Sequence, residues 1–251
     1  MDMGIYLEKT RMKLTKLVLT LLLVYFLAGA LAAQETTQRT IESFTQVVVS
    51  EGIDLVLEQG DRPALRLTYT GLKPEVIVTQ VSGKKLKIYL EGCKRGCAES
   101  AQREYRGSKV IAYLTYTELR KLVVMGDNEV INKSPIQASK FILRSYGDNT
   151  ITLRNVEADR WKAALYGDSD LSVENGKVAT LKIKAYGDNT INTRQVTSGI
   201  SKVHSLGDNN VQLQAQDRLN VTVLGDATIR YDGQPWVAKR LVLGDLSLQA
   251  R

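Results

Sequence analysis

Leu181-Lys182-Ile183-Lys184-Ala185-Tyr186-Gly187-Asp188-Asn189-Thr190-Ile191 alternates apolar and polar residues up to a Gly-Asp-Asn turn, then resumes with an aliphatic residue. Period-two alternation is the pattern of a strand with one face buried. The Gly-Asp pair recurs at 126/127, 147/148, 167/168, 187/188, 207/208, 225/226 and 244/245, at intervals of 21, 20, 20, 20, 18 and 19 residues. Three residues after each Asp stands an aliphatic residue: Val130, Ile151, Leu171, Ile191, Val211, Ile229 and Leu248. A near-constant period of this length marks a solenoid. No stretch has helical periodicity long enough to place a helix in each repeat, which sets aside leucine-rich and helical repeats. A pile of hairpins would show two turn signals per repeat, and only one is present. Pro is nearly absent beyond residue 135, Pro235 apart, so backbone donors are free for continuous ladders. The reading is all-β: a right-handed parallel β-helix (solenoid) of about 20-residue coils.

Stacked coils turn the repeat into columns about 4.8 Å apart. One column is Asp127, Asp148, Asp168, Asp188, Asp208, Asp226 and Asp245. Carboxylates at that spacing repel by about 1 kcal/mol in water, so backbone N–H groups, nearby Lys or a cation such as Ca²⁺ must compensate them. Turn capping is the structural reading, and Asp148, Asp168 and Asp188 are the candidate metal ligands if a cation takes part. Asn128, Asn149, Asn189 and Asn209 extend the turn into an Asn ladder. A second column, Tyr146, Tyr166 and Tyr186, continues as Met125, Leu206, Leu224 and Leu243. Alternation points it outward, beside the polar columns Lys162, Lys182, Lys202 and Arg144, Lys184, His204. Tyr146, Tyr166, Tyr186, Lys162, Lys182 and Lys184 are the candidate ligand-binding residues, for sugar stacking or contact with an acidic glycan. Mutual cover of the rings is the structural alternative. His204 reads as a surface residue without triad partners.

Residues 34–120 carry strands outside the Gly-Asp register, such as Phe44–Val49, Ile53–Leu57 and Leu86–Leu90, with turns at Gly60-Asp61 and Ser82-Gly83. They read as irregular β coils plus the N-terminal cap that an open solenoid end needs, continuous with the solenoid of 121–251. Residues 91–109 read as an exposed insertion. It holds Cys93 and Cys97, expected to form a local disulfide in an oxidising compartment. Upstream, Lys13 and Lys16, the apolar run Leu17–Phe26 and the small residues Ala30-Leu31-Ala32 read as a signal peptide over 1–33, with an uncut signal anchor as the alternative because the apolar stretch Leu17–Ala33 nears the length of a spanning helix. The mature chain is expected to start at Ala33 or Gln34 and to work in the periplasm, at the outer-membrane surface or as a secreted protein. No Cys near the cleavage point supports a lipoprotein anchor, and no transmembrane span is expected after cleavage.

At this point the chain resembles the auto-transporter adhesin head GIN domain family, common in exported proteins of Bacteroidetes. The resemblance rests on Phe44 to Gly60, on Val81 to Ile88 and on the Gly-Asp coils, and spans roughly residues 41–250. It implies a β-helix-like domain of the cell envelope with an adhesive role, and it brings no catalytic residues. No translocator barrel follows Arg251, so self-transport is not expected.

Composition narrows the function classes. Lys+Arg 34 against Asp+Glu 27 gives +7, reduced to about +5 without residues 1–33. Such an excess, spread over the chain, does not call for nucleic acid. One His and two Cys exclude a multi-His metal site or a Cys/His zinc cluster, and no cofactor is expected. The leading reading is a non-catalytic envelope module that binds glycan or an envelope protein. A polysaccharide lyase or hydrolase is the enzymatic alternative, but catalytic sites break repeats and this column keeps them. A self-associating structural envelope protein is the third class.

Overall fold

The structure, a computed structural model, describes residues 34–94 and 97–251. The signal peptide expected over residues 1–33 lies outside the described residues. Among the described residues strand accounts for 69% and helix for 4%, and the chain winds into a β-solenoid of about 6 turns with coils about 20 residues apart. In chain order the elements are β1 (Glu35–Arg39), β2 (Gln46–Val49), β3 (Ile53–Gln59), β4 (Ala64–Thr70), β5 (Ile77–Ser82), β6 (Lys85–Leu90), α1 (Glu99–Glu104), β7 (Lys109–Tyr116), β8 (Lys121–Met125) and β9 (Glu129–Tyr146). They continue as β10 (Thr150–Tyr166), β11 (Asp170–Val173), β12 (Gly176–Tyr186), β13 (Thr190–Leu206), β14 (Asn209–Leu224), β15 (Ala227–Asp232), β16 (Trp236–Leu243) and β17 (Leu246–Ala250).

Each coil stacks on the next by parallel ladders in the register of the Gly-Asp repeat. β10 carries three runs against β9, at residues 150–153, 155–158 and 160–166, with a shift between Leu153 and Asn155. The ladder passes through the turns: Gly147 N donates to Tyr166 O at 2.8 Å and Gly167 N to Tyr186 O at 3.0 Å. The inward positions fill the tube. Val130, Ile151, Leu171, Ile191, Val211 and Ile229 are buried in one continuous core with Phe141, Trp161, Leu181 and Leu219. Each such side chain contributes about 1.5–3 kcal/mol on burial, and the in-register stack repeats that gain in every coil.

Polar groups inside the tube are paired by the stacking itself. Asn128, Asn149, Ser169, Asn189 and Asn209 are buried one above another. Asn149 Oδ1 accepts from Asn128 N, Asn189 Oδ1 from Ser169 N, and Asn209 Oδ1 from Asn189 N, at 3.1–3.2 Å. Their amide groups donate down the coil, Asn149 Nδ2 to Ser145 Oγ and Asn209 Nδ2 to Ser205 Oγ. The side chain thus takes the backbone N–H that the turn leaves over.

The N-terminal part departs from chain order. β2 inserts between β6 and β8, and β3 between β7 and β9, all parallel. The first coil in sequence is therefore the second in space. The outer ladders of β6 and β7 are covered by antiparallel partners, β5 on β6 and β4 on β7, with β1 on β4. Antiparallel cover ends the stack, because it offers no parallel register for another coil to follow. Between β6 and β7 the chain holds α1 and a Cys93–Cys97 disulfide. This segment is not wholly exposed: Cys93 and Ala101 are buried.

Candidate functional site

The outward side chains of β8, β12, the second halves of β9, β10, β13 and β14, and β16 share one face of the solenoid. Register pairs build its columns. Tyr146, Tyr166 and Tyr186 stand in line, with Met125 before them and Leu206, Leu224 and Leu243 after. Two residues back along each strand run Arg144, Ala164, Lys184 and His204, and two further back Lys162, Lys182 and Lys202. All six sequence-predicted binding residues therefore lie on this one surface.

The tyrosines are outward, with Tyr146 37% exposed. Tyr146 and Tyr166 have ring centroids 4.9 Å apart and planes at 7°; Tyr166 and Tyr186 follow at 5.0 Å and 20°. Those numbers are the ladder spacing transmitted to the rings. Their faces are turned toward one another, so the stripe presents ring edges and phenol hydroxyls rather than open faces. It suits hydrogen bonding better than the face-on sugar stacking that the sequence suggested.

The cations beside the stripe are crowded and unneutralised. The described residues contain three ion pairs, Lys109–Asp54, Arg120–Glu118 and Arg194–Asp232, and none involves the face. Partial burial, with Lys184, Arg144, Lys182 and Lys140 nearby, lowers the pKa of Lys162. Burial first, then Arg144 and Lys85, does the same to Lys121. His204 is half-buried, not at the open surface; burial, then Lys182, Lys184 and Lys202, push its pKa below the ordinary histidine value. Ala164 sits on the same side yet is fully covered, between two long neighbours in register, Arg144 and Lys184. A surface that disfavours its own charge is poised to take a negative group.

On the other border of the stripe, Asp148, Asp168 and Asp188 are exposed at the turns. Asp168 Oδ1 accepts from Asp188 N at 3.3 Å, and Asp226 Oδ1 from Asp245 N at 3.1 Å, which is turn capping from coil to coil. Among the described residues no group of three or more His, Cys, Asp or Glu side chains is set to hold a metal ion. Cys93 and Cys97 belong to the connection before β7, outside this face.

Sequence reasoning missed Lys121, Arg218, Arg240 and Trp236. The later coils are shorter, and a shift between Val221 and Thr222 displaces β14 against β16. Arg218 pairs in register with Trp236 and Lys202 with Asn220, which breaks the lysine column. The drop in the Gly-Asp interval from 20 to 18 goes with the register shifts of β13 against β14, between Thr193 and Thr197 and between Ser198 and Ile200, and is the signal from which the break in the lysine column was legible.

The family model described as "Putative auto-transporter adhesin, head GIN domain" matches residues 43–235. The chain belongs to this family. Solved structures share the fold of this head GIN domain. A putative adhesin of Bacteroides fragilis is 14% identical with a TM-score of 0.70, covering 87% of this chain and 97% of its own. A putative adhesin of Parabacteroides distasonis is 17% identical with a TM-score of 0.65 over 88% and 98%. A protein of the same organism described as a putative lipid binding protein is 19% identical with a TM-score of 0.62, again over 88% and 98%. At these identities the likeness concerns the fold alone. No curated protein matches the sequence. No helix among the described residues of the head GIN domain is long and apolar enough to cross a membrane.

Proposed function

We propose that this head GIN domain works outside the cytoplasm as a non-catalytic binding module that takes a glycan chain along the Tyr146–Tyr166–Tyr186 stripe. The observation that carries the reading is the stripe itself: three in-register tyrosines, outward, at 4.9 and 5.0 Å, flanked by cations without ion-pair partners among the described residues. A regular row of donors and acceptors matches a regular polymer better than a single small molecule. The signal peptide read over 1–33 and the adhesin description of the family support export and a binding role.

Replacing Tyr146, Tyr166 and Tyr186 together by Phe keeps the stack and removes the hydroxyls. Each hydroxyl bond is worth about 0.5–1.5 kcal/mol, so glycans retained on an array by the native protein should bind at least about tenfold more weakly to the variant. An unchanged array profile, with the melting temperature preserved, refutes the stripe as the binding surface.

A further inference from the structure

Next to the lysine columns lies a hollow of about 390 Å³ walled by Lys182, Lys202, His204, Arg218 and Arg240, with Asn220 and Thr222 as neutral polar groups. Its size falls within the ~300–1,000 Å³ range of small-molecule sites. Every ionisable group that lines it is basic, and none of them is in an ion pair among the described residues. At the rim, Trp236 is 58% exposed, and the Arg218 guanidinium lies 4.6 Å from its ring centroid. That cation–π contact occupies one face of the indole and steadies the ring. The result is an anion hole beside an open, flat apolar surface.

We propose that this hollow is a subsite for an acidic sugar of a polyanionic polysaccharide, with the carboxylate or sulfate among Lys202, His204, Arg218 and Arg240 and the sugar ring against Trp236. The inference deepens the glycan reading above by giving the ligand its charge. A concave site with an aromatic rim fits one sugar unit at a time, whereas a layer of lipid headgroups is met by a flat or convex basic surface. The tyrosine stripe and the hollow lie on the same face, so one extended chain can reach both.

His204 makes the subsite sensitive to protons. It is flanked in register by Lys184 and Thr222, with Lys182, Lys202, Arg218 and Arg240 around the hollow and no carboxylate lining it. In the free protein burial, then Lys182, Lys184 and Lys202, keep the imidazole neutral to lower pH than usual. A bound carboxylate or sulfate reverses that balance and raises its pKa. Binding then takes up a proton, so affinity rises as pH falls through the range between the His204 pKa of the bound and of the free protein.

His204 is the chain's single histidine, so a tag-free protein gives one imidazole signal to titrate by NMR. The probes are polygalacturonate and dextran sulfate, with unmodified dextran and phosphatidylglycerol vesicles as controls. The expected result is binding of at least one acidic polymer, weakened about tenfold or more in R218A/R240A at unchanged melting temperature, with an upward shift of the His204 pKa. Failure of both acidic polymers to bind overturns the proposal. Equal affinity for the native protein and R218A/R240A overturns it too. So does binding to the vesicles without binding to either soluble polymer, which would assign the hollow to a lipid surface. The tyrosine-to-phenylalanine variant separates this from the reading beneath it: if it keeps its acidic polymer while R218A/R240A loses it, the stripe fails and the subsite stands.

Discussion

Gly147 holds φ at +98°, and a Cβ built on it would stand 2.3 Å from the carbonyl oxygen of Gly126 in the preceding coil. Two constraints meet there: a left-handed backbone and a coil packed directly against the turn. Gly83, in the β5–β6 turn, has φ +60° but nothing within 4 Å of a built Cβ, so only the first constraint applies. The same substitution therefore separates conformational from packing cost. Gly83→Ala should lower stability by roughly 1–2 kcal/mol, the cost of a left-handed L-residue. Gly147→Ala should cost more than about 3 kcal/mol, because the opposing atom is backbone and cannot turn aside. Urea unfolding of the two variants, read as midpoint shifts at constant slope, checks the difference. Equal shifts would mean that the turn column is not packed as closely as described.

Within residues 36–251 the strands differ in how many neighbours hold them. β12 lies between β10 and β13 and is paired on both sides, whereas β17 pairs with β15 alone among the described strands. In a stack of coils stability is roughly a sum over nearest-neighbour contacts, so opening should begin where one neighbour is missing. Amide exchange followed by mass spectrometry should find β12 protected close to the global unfolding limit and β17 exchanging at least about tenfold faster. Uniform protection would point to cooperativity that the pairing does not explain. Legibility in the sequence follows the same division. From residue 121 each coil repeats its neighbour, so Gly187, Ile191 and Tyr186 announce both register and facing. The N-terminal coils were legible as strands but not in their order, because β2 and β3 slot between elements that come later in the chain. Nothing local in Gln46–Val49 or Ile53–Gln59 encodes a partner more than thirty residues away. The site divides likewise: the Tyr and Lys columns could be read by counting twenty residues, while Arg218, Arg240 and Trp236 sit where the shortened coils lose that count.

Over the whole molecule the charge excess is only +7, too small to predict an anionic partner from composition. Folding changes its meaning, since the parallel register sorts Lys162, Lys182, Lys202, Lys184 and Arg144 onto one face. Glu157 stands elsewhere, in register with Lys177 and Gln137. A field built this way depends on place and not on sum, and two substitutions of identical net charge can show it. Lys182→Glu puts a carboxylate in the wall of the basic hollow, while Lys177→Glu puts one in the trough that Glu157 and Asp217 already line. Each lowers the net charge by the same two units. If the arranged face attracts the acidic polymer, Lys182→Glu should weaken polygalacturonate binding by about tenfold or more, and Lys177→Glu should stay within about twofold. Raising salt should shrink the gap, because exposed charges are screened over about 10 Å at 0.1 M. Equal losses in the two variants would make the attraction a property of net charge and remove the reason to assign it to this face.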